Sequence, residues 1–587
     1  MILKFIQNLQ IDPFPIRSAF KGYSFDGLQR DIQAGITGAL LAFPQAIAYA
    51  IIAGLPISYG IWCSAIAALV GPLFASSRLA ILGPTNATAA MMLSLTLTLP
   101  PEAIGNVGVI ALLVCMVGGL LIAGAFLQLA FLLRFISQSV IIGYITAAGI
   151  FIIANQSQHL FGLTVERGIT FVDTIKKTGI HMAETEWPAV VIAVVTFAFL
   201  ILLKKSPRLK NLRVAISLLV ASGVAYLLAE NGFSVHMVDP LPFGEWPLTP
   251  PAISMSTFTL LFGPAMAMAF LAALENTVMT KTIASSTGTN VNPNQELLSL
   301  GFANLASGFT HGMVASTSPV RSTLNLNTGA VSQVSSMLNG VLCIGGALLL
   351  GPAIGYLPKA GVAAVVVNVA LALIKPERIR VAWKSTSSDA ITLATTFGSA
   401  LLLPLHIAIF IGVATSIALF LKKASAPQLV EYGFNDEGQL AEVENQRANP
   451  RISIIHAEGD LFFGAADLFR DEVRKVCHDP LLRIVVLRLR NARHLDATTI
   501  FALEDLIKFL RSTGRDVVVS GAKRDVYKIF RDTGLLKLLD KKNFFMSSEK
   551  NPNVSTRNAL KRAQEIIGTD KADIQIYYDP SKKKKDS

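Results

Sequence analysis

Four long stretches near the start of the chain contain no Asp, Glu, Lys or Arg: residues 33–77, 79–101, 103–133 and 135–165. Each has room for one or more apolar segments of about 20 residues, the length that crosses the hydrocarbon of a bilayer. Soluble domains carry about 25% charged residues; this chain of 587 carries 15%, against 52% hydrophobic. Beyond about residue 421 the charge density returns to that of a soluble domain. The pattern predicts a large polytopic membrane part and a soluble C-terminal part.

The net charge of +12 gathers in short loops and tails, as expected of basic residues that stay on the cytoplasmic side of a membrane. It therefore gives no reason to invoke nucleic acid. Cys63, Cys115, Cys343 and Cys477 are widely spaced and form no metal-binding pattern, so they read as buried small side chains. No metal or cofactor is expected. The first twenty residues are short and amphipathic and have no cleavage site. They read as an interfacial helix on the cytoplasmic side, not a signal peptide.

Taken in order, the apolar runs give fourteen segments: 31–53, 57–75, 79–99, 107–133, 135–155, 189–203, 214–229, 258–280, 296–309, 312–330, 334–356, 360–374, 389–403 and 406–421. The loop 156–187 is long and polar. The basic cluster Lys204, Lys205, Arg208, Lys210 and Arg213 falls on the same side as both termini, which the count puts inside. The third segment (ILGPTNATAA) and the tenth (MVASTSPVRST) each join a Gly/Pro/Ser/Thr-rich start to a short apolar helix. Seven segments apart, they enter from opposite sides. That is the pattern of two inverted repeats of seven, with half-helices meeting near the midplane. Irregular backbone at that depth must be covered by protein or line a wet cavity. Two helix starts would aim unpaired N–H groups and positive dipole ends at one point, which should attract an anion.

Glu275 is the only acid between Glu245 and Glu296. A carboxylate in an apolar span is costly when ionised and unpaired. It reads either as a coupling site for a proton or cation, or as a structural carboxylate between helices. Arg321 follows the small-hydroxyl run 315–318. It reads as a cation beside the anion, as a partner for Glu275, or as a snorkelling arginine. Ser316, Thr317, Thr85 and Thr88 could bind an oxyanion by hydroxyl and backbone N–H, or simply cap helices. His311 and His406 read as packed histidines.

From residue 451 the chain alternates between strand and helix: strands at 451–457, 482–489 and 516–520, and helices at 465–477, 496–512 and 526–539. This implies a small α/β domain. It has no phosphate loop and no catalytic constellation, so an enzyme is not expected. The domains read as a cytoplasmic N-terminal segment 1–30, a transport domain 31–423, a linker 424–450, the α/β domain 451–548 and a basic tail 549–587 ending in Lys582–Lys585.

Several motifs are similar in order to one family. Pro44-Gln45-Ala46-Ile47-Ala48-Tyr49-Ala50, Ala53-Gly54-Leu55-Pro56, Ser76-Ser77-Arg78, Gly83-Pro84-Thr85, Asn292-Pro293-Asn294-Gln295-Glu296-Leu297 and Arg321-Ser322-Thr323-Leu324-Asn325 resemble the SulP (sulfate permease) anion transporters. Leu495-Asp496-Ala497-Thr498 resembles the strand-to-helix turn of that family's STAS domain. The resemblance implies a seven-plus-seven fold with core and gate subdomains and an elevator-like motion. It places the anion at Gln45, Thr85, Asn86, Ala87, Ser316, Thr317 and Ser318, and makes Glu275 the coupling position. A sodium-binding Thr one turn further along is here Met279, a poor sodium ligand, which leaves a proton, or no coupling. The resemblance also implies sulfate or a similar oxyanion as substrate, with bicarbonate, C4-dicarboxylates or a channel-like pathway as alternatives. It implies a homodimer in the cell's inner (plasma) membrane, and Thr498 and Thr499 as candidate phosphorylation sites.

Overall fold

The computed structural model describes residues 11–568, except 21–22, 100–106, 166–167, 207–211, 240–247, 249, 426–427, 435–439, 443–449, 459–460, 462, 491, 493–494 and 548–553. Of the interfacial helix expected over 1–20, residues 1–10 lie outside the described residues, and in the rest Pro15–Ser18 forms a 3-10 turn; Arg208 and Lys210 of the basic cluster and the lysine tail at 582–585 also lie outside them. The chain forms two compact units, residues 1–417 and 418–587.

The first unit is helical. Its elements are α1 (Phe25–Ala53), α2 (Ile57–Phe74), β1 (Leu82–Gly83), α3 (Asn86–Thr98), α4 (Val107–Phe126), α5 (Gln138–Leu160), α6 (Phe171–Ile180), α7 (Trp187–Lys204), α8 (Arg213–Glu230), α9 (Met255–Thr287), α10 (Pro293–Phe309), β2 (Ser316–Thr317), α11 (Pro319–Asn327), α12 (Val334–Leu350), α13 (Lys359–Leu371), α14 (Pro376–Ser385), α15 (Ser387–Leu402) and α16 (Leu405–Ala424). Among the described residues, nine helical spans are long and apolar enough to cross a membrane, with the stretch 359–385 counted as one, and α12 is a shorter apolar helix. The third and tenth segments are not full spans. Each is a two-residue strand followed by a short helix.

Boundaries differ where local chemistry overrides apolar length. The fourth segment ends at Phe126, where Gln128 turns left-handed (φ 56°) into a 3-10 stretch, Leu129–Phe135. The fifth runs on to Leu160. The loop expected over 156–187 contains the amphipathic helix α6, capped by Thr170. α9 extends seven residues past the expected 280, to Gly288, whose αL conformation stops it. α1 is built in the same way. Ser24 caps its start, Pro44 lies inside it and the αL residue Gly54 ends it, just as Ser254, Pro264 and Gly288 do for α9.

Packing in this unit depends on small residues that let backbones meet, as between membrane helices generally. A Cβ on Gly60 would lie 2.0 Å from the Ala46 carbonyl, and one on Gly118 would lie 2.8 Å from that of Gly301. α10 packs on α4 and α2, and α12 on α1 and α2.

The second unit has a six-stranded sheet in the order β4-β3-β5-β6-β7-β8. Its strands are β3 (Gln428–Phe434), β4 (Leu440–Glu442), β5 (Ile452–Glu458), β6 (Ile484–Arg488), β7 (Asp516–Ala522) and β8 (Phe544–Met546). β5 to β8 are parallel, and β3 is antiparallel to β5. The helices are α17 (Phe463–Val476), α18 (Ala497–Ser512), α19 (Arg524–Asp532), α20 (Leu535–Leu539) and α21 (Val554–Ile567). Buried strands such as β6 (IVVLR) need cover on both faces. One face carries Phe469, Leu503, Leu506 and Phe530. The other carries Ala559, Leu560 and Ala563 of α21. The single helix expected over 526–539 is two, divided at Gly534 (φ 81°). α21 falls in the region read from sequence as a tail.

Candidate functional site

The two broken segments meet. β1 and β2 pair antiparallel, with Leu82 opposite Thr317 and Gly83 opposite Ser316. Further bonds fix them together: Ser318 N to Ile81 O (3.0 Å), Ile81 N to Ser322 Oγ (2.9 Å) and Asn325 Nδ2 to Leu79 O (3.0 Å). Each strand then turns directly into a helix. Thr85 caps α3 in a reciprocal box: its hydroxyl accepts from Thr88 N, and Thr88 Oγ1 accepts from Thr85 N. Ser318 caps α11 by accepting from Arg321 N (3.5 Å). Two helix starts therefore flank one short ladder, and their first N–H groups have no acceptor within their own helices.

α9 runs beside this ladder and takes up its hydroxyl hydrogens. Thr85 Oγ1 donates to Glu275 Oε2 at 2.8 Å. Ser316 Oγ donates to Ala272 O (3.0 Å), and Thr317 Oγ1 to Asn276 Oδ1 (2.5 Å). The sequence offered these hydroxyls for an oxyanion or for helix capping. Thr85 does cap α3, and all three hydroxyls also tie the two halves to α9, since buried hydroxyls must find an acceptor. On α3, the backbone donors available at the helix start belong to Asn86 and Ala87.

Arg321 is fully buried, which rules out snorkelling. Its Nη1 donates to Ser64 Oγ (2.7 Å) and its Nη2 to Pro84 O (2.9 Å). Among the described residues it makes no ion pair, with Glu275 or any other acid. A buried cation held only by neutral acceptors is favourable ground for an anionic guest. Gly83 makes room for it: a Cβ there would lie 2.6 Å from Arg321 Nη2.

Gln45 on α1 and Asn86 at the start of α3 each have a buried side-chain oxygen with no hydrogen-bond partner among the described residues. Two residues absent from the sequence-derived site stand near it. Tyr49 lies within electrostatic range of both Arg321 and Glu275. Tyr144 on α5, whose buried hydroxyl has no partner among the described residues, lies in range of Glu275. The signal for Tyr49 was its i,i+4 spacing from Gln45, which puts both on one helix face. Nothing local pointed to Tyr144. Met279 packs in an apolar cluster with Leu79, Ala80 and Ile283. His311 stacks on Tyr59 with ring centroids 5.9 Å apart.

Two carboxylates brace the approaches. Glu296 Oε1 accepts from Ser76 N, Ser76 Oγ and Ser77 N at 2.7–2.8 Å, fixing the loop that leads into β1. Asp31 accepts from Val331 N, Ser332 N and Ser332 Oγ, fixing the loop that leaves α11.

In the second unit Asp496 caps α18, accepting from Thr499 N and Thr499 Oγ1 (both 2.9 Å) and from Phe463 N (2.7 Å). Burial pushes this carboxyl up, but the three hydrogen bonds outweigh it and hold it below the usual carboxylate range. Thr499 is fully buried, and its hydroxyl also reaches Leu461 O. Of the two phosphorylation candidates, only Thr498 is exposed.

Two units, one of apolar helices around two half-helices joined by a short ladder and one a covered α/β sheet, define a membrane transporter with a separate soluble domain. The sulfate permease family profile matches residues 28–396 and the STAS domain profile matches residues 445–551. The chain belongs to the sulfate permease family and is an anion transporter, not an enzyme. It is 27% identical over 540 residues to "Probable sulfate transporter Rv1739c" of Mycobacterium tuberculosis, covering 90% of this chain and 95% of the relative. It is 25% identical over 548 residues to "Sulfate transporter 4.1, chloroplastic" of Arabidopsis thaliana, covering 88% and 78%. Its fold is that of murine Slc26a9, described as an anion transporter in the inward-facing state (TM-score 0.83, 22% identity, 96% and 95% covered). The transmembrane domain of the cyanobacterial bicarbonate transporter BicA aligns with a TM-score of 0.59 at 18% identity, covering 67% of this chain and 98% of that one.

Proposed function

We propose that this chain is a proton-coupled importer of sulfate or a similar oxyanion, working by an elevator-type movement of one helical subdomain against another. The observation that carries the reading is the 2.8 Å hydrogen bond from Thr85 Oγ1 to Glu275 Oε2. It links the only acid of α9 to the cap of the first half-helix. While Glu275 is ionised, the Thr85 hydroxyl is committed to it. When Glu275 takes a proton, that hydroxyl is released to donate to an anion resting on the N–H groups of Asn86 and Ala87. Loading of proton and of anion then favour one another. Arg321 supplies the balancing charge, Ser316, Thr317 and Ser318 hold the second half-helix in register, and Gln45 faces the same space from α1. Met279, packed among apolar side chains, supports a proton over sodium.

The matched Ser-Pro-Gly construction of α1 and α9, and the antiparallel meeting of β1 with β2, support two inverted halves of seven segments. The names of the sulfate transporters among the relatives support sulfate as the substrate. A homodimer in the inner (plasma) membrane, both termini inside, completes the proposal. The test is uptake into proteoliposomes of sulfate, bicarbonate, succinate and chloride, at two pH values, with and without sodium. Sulfate uptake driven by an inward proton gradient and indifferent to sodium is expected. Sodium-dependent bicarbonate uptake, or single-channel chloride currents, would overturn it.

A further inference from the structure

We propose that α14 is an in-plane membrane anchor that binds anionic phospholipid headgroups. The chain holds it at a membrane boundary. α13 leads into it, and Thr386, which ends it, caps α15 by accepting from Asp389 N (3.1 Å). Its ten residues rise about 15 Å, half of what the hydrocarbon needs. Lys375 caps its start, and Arg378, Arg380 and Lys384 follow within it. Four cations so close together are too costly to bury in lipid. All four are exposed, and among the described residues none of them makes an ion pair or a side-chain hydrogen bond. Glu377 is the only acid among them and sits in the first turn, where the helix dipole favours it.

Ala382 is 6% exposed and Ile379, one turn earlier, is half-buried. They mark the face turned to the protein, where α14 packs on α15 and α5. Arg380, Trp383 and Lys384 stand at i, i+3 and i+4, so they share a side of the helix. Trp383 is 56% exposed and Val381 65%. An indole and an aliphatic side chain left open beside unpaired cations are what an interfacial helix presents: rings at headgroup level, apolar groups towards the acyl boundary, and charged ends reaching phosphate. The occupant must be negative, since these cations repel one another. The chain's own soluble unit does not complement them, with 22 Lys and Arg against 15 Asp and Glu from Arg451 to Gly568. A free inorganic anion would leave Trp383 and Val381 in water. An anionic lipid answers the charge with its headgroup and the apolar side chains with its tails. The segment count puts α14 on the side of both termini, where the leaflet surface is negative. That placing in the inner leaflet rests on the proposed orientation; the lipid site itself does not depend on the transport reading.

The experiment is tryptophan quenching in the full-length protein, reconstituted into phosphatidylcholine vesicles. These also hold, at equal mole fraction, either phosphatidylglycerol or phosphatidylcholine brominated near the headgroup. The chain has four Trp, so the Trp383 signal is the difference between the native protein and Trp383→Phe. Each cation facing an anionic surface contributes about fivefold to affinity. Brominated phosphatidylglycerol should therefore quench Trp383 about fivefold more effectively, or better, and added salt should narrow the gap. A triple variant, Arg378→Gln with Arg380→Gln and Lys384→Gln, alters exposed side chains only and should bring the two lipids level. Both leaflets hold the same lipids, so the readout is the same whichever way the protein faces and needs no uptake. Equal quenching by the two lipids, no quenching of Trp383 by either (a protein surface covering the face), or a preference that survives in the triple variant overturns the site.

Discussion

At the scale of single residues, Arg321 and Gly83 have to be read as a pair. The guanidinium fills the space a side chain at 83 would need, and its two bonds to Ser64 and Pro84 leave it nowhere to go. Gly83→Ala should therefore abolish uptake and destabilise the protein by about 1–3 kcal/mol, the usual cost of overpacking, read as a lowered Tm in detergent. Glu275→Gln keeps an acceptor for the Thr85 hydroxyl, so the fold should survive. Uptake driven by a pH gradient should fall to the level of empty liposomes; unchanged pH-driven uptake would remove Glu275 from coupling. The sequence made Glu275 and Arg321 visible because charge in apolar chain is rare. It left their relation open, since an arginine's partners lie hundreds of positions away and are set by tertiary packing.

At the scale of elements, the caps do double duty. Thr85→Val removes both the cap of α3 and the bond to Glu275, at a cost of about 1–2 kcal/mol. Thr85→Ser should restore stability and uptake, which separates the hydroxyl's role from that of the side chain's bulk. In the soluble domain, Asp496 offers a pH-dependent counterpart. Its folded pKa lies below that of the unfolded chain. The cap's contribution is therefore complete above the unfolded value of about 3.9 and is lost as pH falls through the folded one. Protection of the 497–512 amides, taken relative to their intrinsic exchange rates, should fall on acidification through that range, and Asp496→Asn should flatten the response. Helix starts of this kind were legible as Ser, Thr and Asp before apolar runs. Helix ends were not, because Gly288 and Gln128 turn the chain left-handed within runs whose composition is alike on either side.

At the scale of the whole molecule, the charge-free stretches sufficed for a polytopic helical part followed by an α/β domain, and failed for the half-helices' lengths and for α21, whose amphipathic face looks like a solvated basic tail until the sheet it covers is known. The short ladder between β1 and β2 also bears on how the chain is made. Ile81 donates to Ser322, 241 residues downstream. At about 5–20 residues per second, the first broken segment leaves the ribosome roughly 10–50 s before its partner exists. For that interval its exposed backbone sits beside lipid with no ladder to complete it, a state the bilayer penalises. The insertion machinery, or a temporary neighbour in the membrane, must shelter residues 79–85 through that interval. A nascent chain halted before residue 316 should crosslink to a neighbouring membrane protein through a photoreactive group introduced in this segment, and release of the full chain should abolish the crosslink.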